Sequence, residues 1–336
     1  MTVFVTGATG LVASHVAELL RAEGRPVRAL HRVGSDVSFL RTLGCDLVEG
    51  DVRDGEEALA RAMAGCDTVV HAAAVTYADL PWPQVRDVNV GGAERVMRAA
   101  ARAGATRAVH LSSVAAYGDP RGRTPEGAPT DGPLGARELY ARSKREAEAV
   151  VSEVARASHV EIAIVRAAAV YGERDRLFTP KLARAFRFPA QFLLGDGRGA
   201  LPAVYAGNLA AAVLAVLAAP SREARVRAYD LGDDHPVTQR DLYGALGRAL
   251  GRPFRPIPLP RPLVLAAARA GDAAGLRIPD AGELPLLRTA LLAMGPNPFG
   301  SARIRAELGW APRFALEEAL DRTARWVALK RSALGL

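Results

Sequence analysis

Tyr140 and Lys144 stand four residues apart in Tyr140-Ala141-Arg142-Ser143-Lys144, near the start of a segment with helical periodicity. That spacing puts both side chains on one face of a helix, one turn apart. A nearby ammonium favours the phenolate and draws a phenol toward a useful range for proton transfer. Such a tyrosine can give or take a proton as hydride moves, an effect worth about 10²–10⁴-fold. Seven tyrosines and three lysines in this chain would produce such a pair by chance about 0.06 times.

Upstream lies Val109-His110-Leu111-Ser112-Ser113-Val114-Ala115-Ala116-Tyr117-Gly118, an apolar strand ending in two serines. A hydroxyl at the carboxyl end of a parallel strand can hydrogen-bond a substrate carbonyl or alcohol. Ser113 is the stronger candidate, and strand-end capping is the bland use of both serines.

The N-terminus carries Val3-Phe4-Val5-Thr6-Gly7-Ala8-Thr9-Gly10-Leu11-Val12-Ala13, which reads as a strand, a tight glycine turn and a helix start. Gly7 permits the turn, and Gly10 lets the backbone approach a pyrophosphate. The helix N-terminus then offers unpaired N–H groups and about half a positive charge. Ala13 stands where a third glycine often gives close helix–strand packing. The next strand ends in Val27-Arg28-Ala29-Leu30-His31-Arg32. An acid there would hold an adenosine ribose 2′-hydroxyl, and none is present. Arg32, with Arg28 or His31, is suited instead to a 2′-phosphate, which favours NADP(H) and leaves NAD(H) open.

The elements that must position these groups alternate. Strands are predicted at 2–6, 26–31, 46–49, 67–71, 107–111 and 161–166, and helices at 10–23, 55–64, 83–103 and 136–157. This order predicts an α/β fold, a doubly wound parallel (Rossmann) sheet with ligands at the carboxyl ends of its strands. After Gly172 prolines become frequent and helices are interrupted by short extended pieces, while 226–231 reads as a strand returning to the sheet. The expected division is a dinucleotide-binding domain over 1–172, rejoined by 203–232. A smaller, partly interleaved C-terminal substrate-binding lid covers 173–202 and 233–336.

At 336 residues, 49% hydrophobic and 24% charged, the chain has the composition of an ordinary globular protein. The net charge is +8. All but three of the basic residues are arginine, scattered among alanines rather than gathered in blocks. They read as solvated faces, so no nucleic-acid partner is expected. Cys45 and Cys66 have neither pairing nor ligand spacing, so no metal is expected. With no signal peptide in view, they point to a cytoplasmic location. The longest apolar run, 209–219, is too short to span a bilayer.

Taken together, the chain resembles the extended short-chain dehydrogenase/reductase family almost end to end. The resemblance rests on Thr6-Gly7-Ala8-Thr9-Gly10, Gly50-Asp51-Val52-Arg53-Asp54, His71-Ala72-Ala73-Ala74 and Asn89-Val90-Gly91-Gly92. It continues through Ser113 with Tyr117-Gly118, Tyr140 with Lys144, Val170-Tyr171-Gly172, and Ser301-Ala302-Arg303 followed by Leu308-Gly309-Trp310. It implies Tyr140 as acid/base, Lys144 as the holder of the nicotinamide ribose and Ser113 as the group that orients the substrate oxygen. Asn89 matches the family's helix asparagine. The cofactor set becomes Gly7, Thr9, Gly10, Leu11, Val12, Arg32, Asp51, Val52, Ala72, Ala73 and Ala74, with Tyr140 and Lys144. Asp51 and Val52 would meet the adenine. Two departures stand out: Arg166-Ala167-Ala168-Ala169 replaces the usual proline after the strand, and Val204-Tyr205-Ala206-Gly207-Asn208 lacks a frequent acidic pair. A homodimer is an expectation by analogy alone.

Within that resemblance, Val114 and Ala115 replace the Asp-Glu pair of sugar-nucleotide dehydratases, which removes the acid and base that dehydration needs. Sugar-nucleotide 4-epimerases with tightly bound NAD remain as an alternative. The arginine–acid pair expected for their diphosphate is Leu201-Pro202 here, with Arg198 close by. The pattern is nearer to the 3β-hydroxysteroid dehydrogenase and ketone reductase-like branch. The expected activity is NADP(H)-dependent interconversion of a secondary alcohol and a ketone on a fairly apolar metabolite. Apolar stretches at 259–270 and 284–294, with Thr76, Trp82 and Tyr205, are candidates to line its pocket. A cofactor-binding regulator without turnover is a third reading, against which both Tyr140 and Lys144 speak.

Overall fold

Short apolar runs bounded by glycine and polar turns become the strands of a central sheet, as expected for strands buried on both faces. The structure, a computed structural model, describes residues 1–76, 80–119, 126–220, 225–276 and 284–334. In chain order β1 (Thr2–Thr6), α1 (Leu11–Ala22), β2 (Val27–His31), α2 (Ser38–Thr42), β3 (Asp46–Glu49) and α3 (Glu56–Ala62) come first. Next are β4 (Cys66–His71), α4 (Trp82–Arg86), α5 (Gly92–Arg102), β5 (Arg107–Ser113), α6 (Leu139–Ala157) and β6 (Glu161–Ala167). The chain continues through β7 (Ala169–Tyr171), α7 (Thr179–Arg184), β8 (Gln191–Leu194), β9 (Ala203–Tyr205), α8 (Ala206–Ala218) and β10 (Val226–Leu231). It ends with α9 (Gln239–Leu250), β11 (Pro256–Leu259), α10 (Arg261–Ala273), α11 (Leu286–Met294), α12 (Ala302–Leu308) and α13 (Leu316–Leu329).

Seven strands form one parallel sheet in the order β10-β6-β5-β4-β1-β2-β3. This is the doubly wound arrangement, and the strand order reverses between β1 and β4, where a crevice opens. One apolar cluster, including Val3, Val5, Val16, Leu20, Leu209 and Val213, packs α1 and α8 on one face. The other, including Phe4, Leu59, Met97, Val151 and Ile162, packs α3, α5 and α6 on the opposite face. β10 pairs with β6 along its whole length, so 226–231 does return to the sheet.

One expected element differs. The single helix predicted over 83–103 is broken by a π turn at Asp87–Gly91 between α4 and α5. Such one-turn bulges re-aim a side chain that a regular helix would point elsewhere, and here the turn carries Asn89.

α2 and α12 also pack on the sheet core, through Leu40 and Ile304, while α7, α9, α10, α11 and α13 gather beside the sheet as a smaller cap whose boundaries periodicity does not reveal. Two short parallel pairs, β8–β11 and β7–β9, support it. Its main core gathers Phe186, Leu193, Val237, Leu242, Leu246 and Val327. Among the described residues no helix is long and apolar enough to cross a membrane, and no His/Cys/Asp/Glu group has metal-binding geometry.

Candidate active site

The glycine turn after β1 is a cradle that only a missing side chain permits. Gly7 has φ 69°, and a Cβ there would lie 2.7 Å from the Ala73 nitrogen and 2.8 Å from the Ala72 carbonyl carbon. The Gly10 N–H closes the turn on the Gly7 carbonyl at 2.8 Å. α1 then starts with no side-chain cap and no acid in its first turn, so its leading N–H groups suit an anion. Thr9, Leu11 and Val12 are half-buried around this end. The Ala13 methyl sits within the core at 1% exposure, so the missing third glycine costs no space.

Across the crevice, half-buried Ala72, Ala73 and Ala74 follow β4. They are held by Thr6: its carbonyl accepts from the Ala72 N–H at 3.4 Å and its hydroxyl oxygen from Ala73 at 3.3 Å. The Thr6 hydroxyl also meets His71 Nδ1 at 2.8 Å. His71 stacks on His110 at 5.3 Å between centroids. Burial pushes His71 down to about 3 and His110 well below its ordinary value, so both rings are neutral.

At the adenosine end the structure separates the candidates. Arg28 is spent on Asp46 at 2.5 Å and on the Ala62 and Ala64 carbonyls, which removes it from a phosphate role. His31 Nδ1 lies 3.2 Å from the Arg32 carbonyl. Arg32 itself is exposed at the end of β2. Asp51 is held below the ordinary carboxylate range chiefly by its hydrogen bond from Arg53, with a smaller contribution from the Arg32 charge. Val52 is 6% exposed and its side chain packs with the sheet core.

Tyr140 is the second residue of α6, half-buried, and Lys144 follows one turn later at 4% exposure. The Lys144 Nζ lies 5.7 Å from the Tyr140 ring centroid and donates to the Leu111 carbonyl at 2.8 Å. Burial pushes its pKa down to about 8, while Glu148, one turn further, pulls the other way. α6 packs along the 3₁₀ turn Val114–Tyr117 that follows Ser113.

The two serines divide their work. The Ser112 hydroxyl donates to Glu148 Oε1 at 2.5 Å, inside the protein. Ser113 caps the 3₁₀ turn by accepting from the Ala115 N–H at 3.2 Å, which leaves its hydroxyl proton for another acceptor. Behind Ser112, Arg166 forks onto Glu148 at 2.8–3.1 Å and donates to the Tyr117 hydroxyl at 2.7 Å. That hydroxyl in turn donates to Asp230 at 2.7 Å. Burial pushes Asp230 up to about 6.

Asn89, 2% exposed, has its whole amide engaged. Its Nδ2 donates to the Val75 carbonyl and to Ser143 Oγ, both at 2.9 Å, and its Oδ1 accepts from the Val75 N–H at 2.8 Å. Ser143 donates onward to the Tyr140 carbonyl at 2.8 Å. Asn89 therefore ties the loop carrying Ala72–Thr76 to the Tyr140 helix, rather than presenting a free amide to a ligand.

The pocket candidates fare unevenly. Thr76 is half-buried in the pinned loop, and Trp82 is half-buried beneath the Arg142 guanidinium, 4.0 Å from its ring centroid. Tyr205 is fully buried, its hydroxyl donating to Glu173 at 2.7 Å, so it belongs to the cap core and lines no pocket. Where the chain lacks the usual proline, the Ala168 and Ala169 N–H groups donate to the Leu231 and Pro202 carbonyls, bonds that a proline could not make. The acid missing before α8 is supplied from elsewhere: Asp234 accepts from the Tyr205 N–H at 3.1 Å and from Asn208 at 2.7 Å. No local spacing could have revealed that substitution. Glu138 and Arg288, which meet beside Tyr140, were likewise invisible because they are 150 residues apart.

Comparison with known proteins identifies the family. A model of the NAD dependent epimerase/dehydratase family matches residues 3–232. The 4-hydroxy-2-methyl-3-oxo-4-farnesyl-3,4-dihydroquinoline-1-oxide ketoreductase of Stigmatella aurantiaca is 30% identical, covering 96% of this chain and 95% of its own. The 2-alkyl-3-oxoalkanoate reductase of Stenotrophomonas maltophilia (strain K279a) is 29% identical, covering 96% and 98%. Among solved structures, a UDP-glucuronic acid 4-epimerase from Bacillus cereus, in complex with UDP-glucuronic acid and NAD, superposes with a TM-score of 0.73. It is 16% identical, over 98% of this chain and 99% of that one, a likeness of fold.

Proposed function

The chain belongs to the NAD dependent epimerase/dehydratase family, an NAD(P)-dependent enzyme of the extended short-chain dehydrogenase/reductase group, and we propose that it interconverts a ketone and a secondary alcohol on a fairly apolar metabolite, with NADP(H) as cofactor. The observation that carries this reading is Tyr140 beside a buried Lys144, on the helix that packs against the turn following Ser113.

The cradle fits a dinucleotide. Gly7, Gly10 and the uncapped start of α1 would take the pyrophosphate, Arg32 a 2′-phosphate, and Ala72–Ala74 would flank the channel. A nicotinamide held there supplies or accepts the hydride. The protein's own part is the proton. In the reductive direction the Tyr140 phenol gives its proton to the substrate oxygen, and in the oxidative direction the phenolate takes it back. Lys144 lowers the cost of that phenolate by its charge, and Ser113 donates to the same oxygen as charge develops on it.

The choice of substrate class rests on what surrounds this centre. Leu201 packs into the cap core where a diphosphate-binding arginine would be expected, and Arg198 is exposed. Leu292 of α11 packs against the cluster that holds Val114, the residue after Ser113. Two relatives that match nearly the whole chain are named as reductases of farnesyl- or alkyl-bearing ketones. The nucleotide-sugar 4-epimerase reading keeps one supporting feature, Arg198 after the Gly195-Asp196-Gly197 turn. A screen of ketones, secondary alcohols and UDP-sugars with NADPH and NADH separates the two. Net cofactor consumption with a ketone supports the reductase; sugar inversion without consumption supports the epimerase.

A further inference from the structure

We propose that Arg288 is a positioning residue through which α11 of the cap sets the spacing of Ser113 and Tyr140; its effect on turnover rests on the reductase reading above. Arg288 lies in the first turn of α11, with only 14% of its side chain exposed. Its Nη1 donates to Glu138 Oε1 at 2.9 Å, and its Nη2 donates to the Gly118 carbonyl. Glu138 is the residue before α6, two positions from Tyr140, and its other oxygen accepts from the Gly135 N–H at 2.6 Å. Gly118 ends the 3₁₀ turn that begins at Ser113. One guanidinium therefore holds both segments that carry the reacting hydroxyls.

The junction around it is tight. Gly118 has φ 73°, and a Cβ there would lie 2.5 Å from the Gly132 carbonyl oxygen, so this loop has one seat against the chain leading into α6. Arg145 of α6 bridges the same layers, donating to the Ala116 and Gly132 carbonyls at 3.0 and 2.8 Å. Arg145 fastens the loop to α6 from within; Arg288 fastens both to the cap. Leu292, one turn beyond Arg288, packs against the small cluster of Val114, Tyr117, Ala168 and Phe299. A planar fork suits this two-way bridge, whereas a lysine's compact ammonium on a flexible stem does not reproduce its fixed spacing. Without the cation the Glu138 carboxylate, 6% exposed at its side chain, is left buried and unpaired beside the start of α6.

The test uses Arg288→Lys and Arg288→Ala in the full chain, with folding checked by circular dichroism. Hydrogen exchange of the backbone is followed without substrate, and steady-state kinetics on the best ketone from the screen. The proposal expects faster exchange in both 113–118 and 138–144, an unchanged NADPH Kd, and kcat lowered by about 10- to 100-fold with little change in ketone KM. Added guanidinium ion should restore part of the kcat of Arg288→Ala. Exchange that changes only within α11, or a raised KM at unchanged kcat, would overturn it. Arg288→Lys answers the question if Arg288→Ala fails to fold. A wild-type protein that reduces no ketone would refute the reductase reading, while the exchange data would still decide the positioning role.

Discussion

The Lys144 ammonium sits 5.7 Å from the centroid of the Tyr140 ring and donates to the Leu111 carbonyl, two residues before Ser113 on β5. A single buried cation thus links the phenol on α6 to the strand whose end presents the serine. Replacing Tyr140 with Phe removes only the proton-carrying oxygen. Turnover of Tyr140→Phe is expected to fall by at least about 10²-fold, with NADPH Kd within about threefold of wild type. Fluorescence titration and initial rates check both; full activity would remove Tyr140 from the chemistry.

The pH profile follows from Lys144. Its folded-state pKa, about 8, lies below the ordinary 10.5 because burial disfavours the charge. In the free enzyme, kcat/KM for NADPH should therefore fall as pH rises through about 8, and Lys144→Met should lose that limb. The unfolded chain binds this proton more tightly than the folded one, so the lysine's contribution to stability rises with pH between about 8 and 10.5. Denaturant titrations of wild type and Lys144→Met over that range should differ in slope with this sign.

Arg32 stands exposed at the end of β2, and Arg28, four residues earlier, is tied to Asp46. Arg32→Ala should weaken NADPH by about 10- to 100-fold, as expected for loss of a charge-assisted contact, and leave NADH nearly unchanged. Calorimetric titration with both cofactors decides it. An equal loss for the two would mean that no 2′-phosphate is read here.

Glu173 joins the sheet to the cap. It accepts from the Tyr205 hydroxyl and from Arg322 Nε, both at 2.7 Å, and lies 3.4 Å from His15 Nε2. These partners hold its pKa below the ordinary range despite burial. A depressed carboxylate stabilises the fold above its unfolded pKa and loses that contribution as pH falls. Glu173→Gln should cost about 3–5 kcal/mol and flatten the acid side of the stability profile, with kcat per folded molecule preserved. Thermal unfolding between pH 3 and 7 provides the check.

How much of this was legible beforehand depended on whether the signal was local. The sheet was readable because each strand of a parallel sheet is itself a short apolar run, and the glycine turn follows the first of them at once. Tyr140 and Lys144 share a helix, so their spacing announced their proximity. Asn89 was found through family likeness. Its inward aim depends on a π turn that periodicity does not encode, and its amide turned out to be committed to Val75 and Ser143. Tyr205 looked like a pocket wall because an aromatic in an apolar stretch reads the same whether it faces a cavity or a core. The Glu138–Arg288 ion pair and the Asn208–Asp234 hydrogen bond join residues 150 and 26 positions apart in the chain, where only the folded topology brings the partners together.

The most direct test of the central claim follows the hydride itself. The protein is incubated with an apolar ketone from the screen and NADPH deuterated at the reactive face of C4, and the product is examined by mass spectrometry. One deuterium at the new carbinol carbon, with one NADP⁺ formed per alcohol and both formed at least about 10²-fold more slowly with Tyr140→Phe, is the predicted outcome. Cofactor that stays reduced across the whole ketone panel while a UDP-sugar is inverted would contradict it.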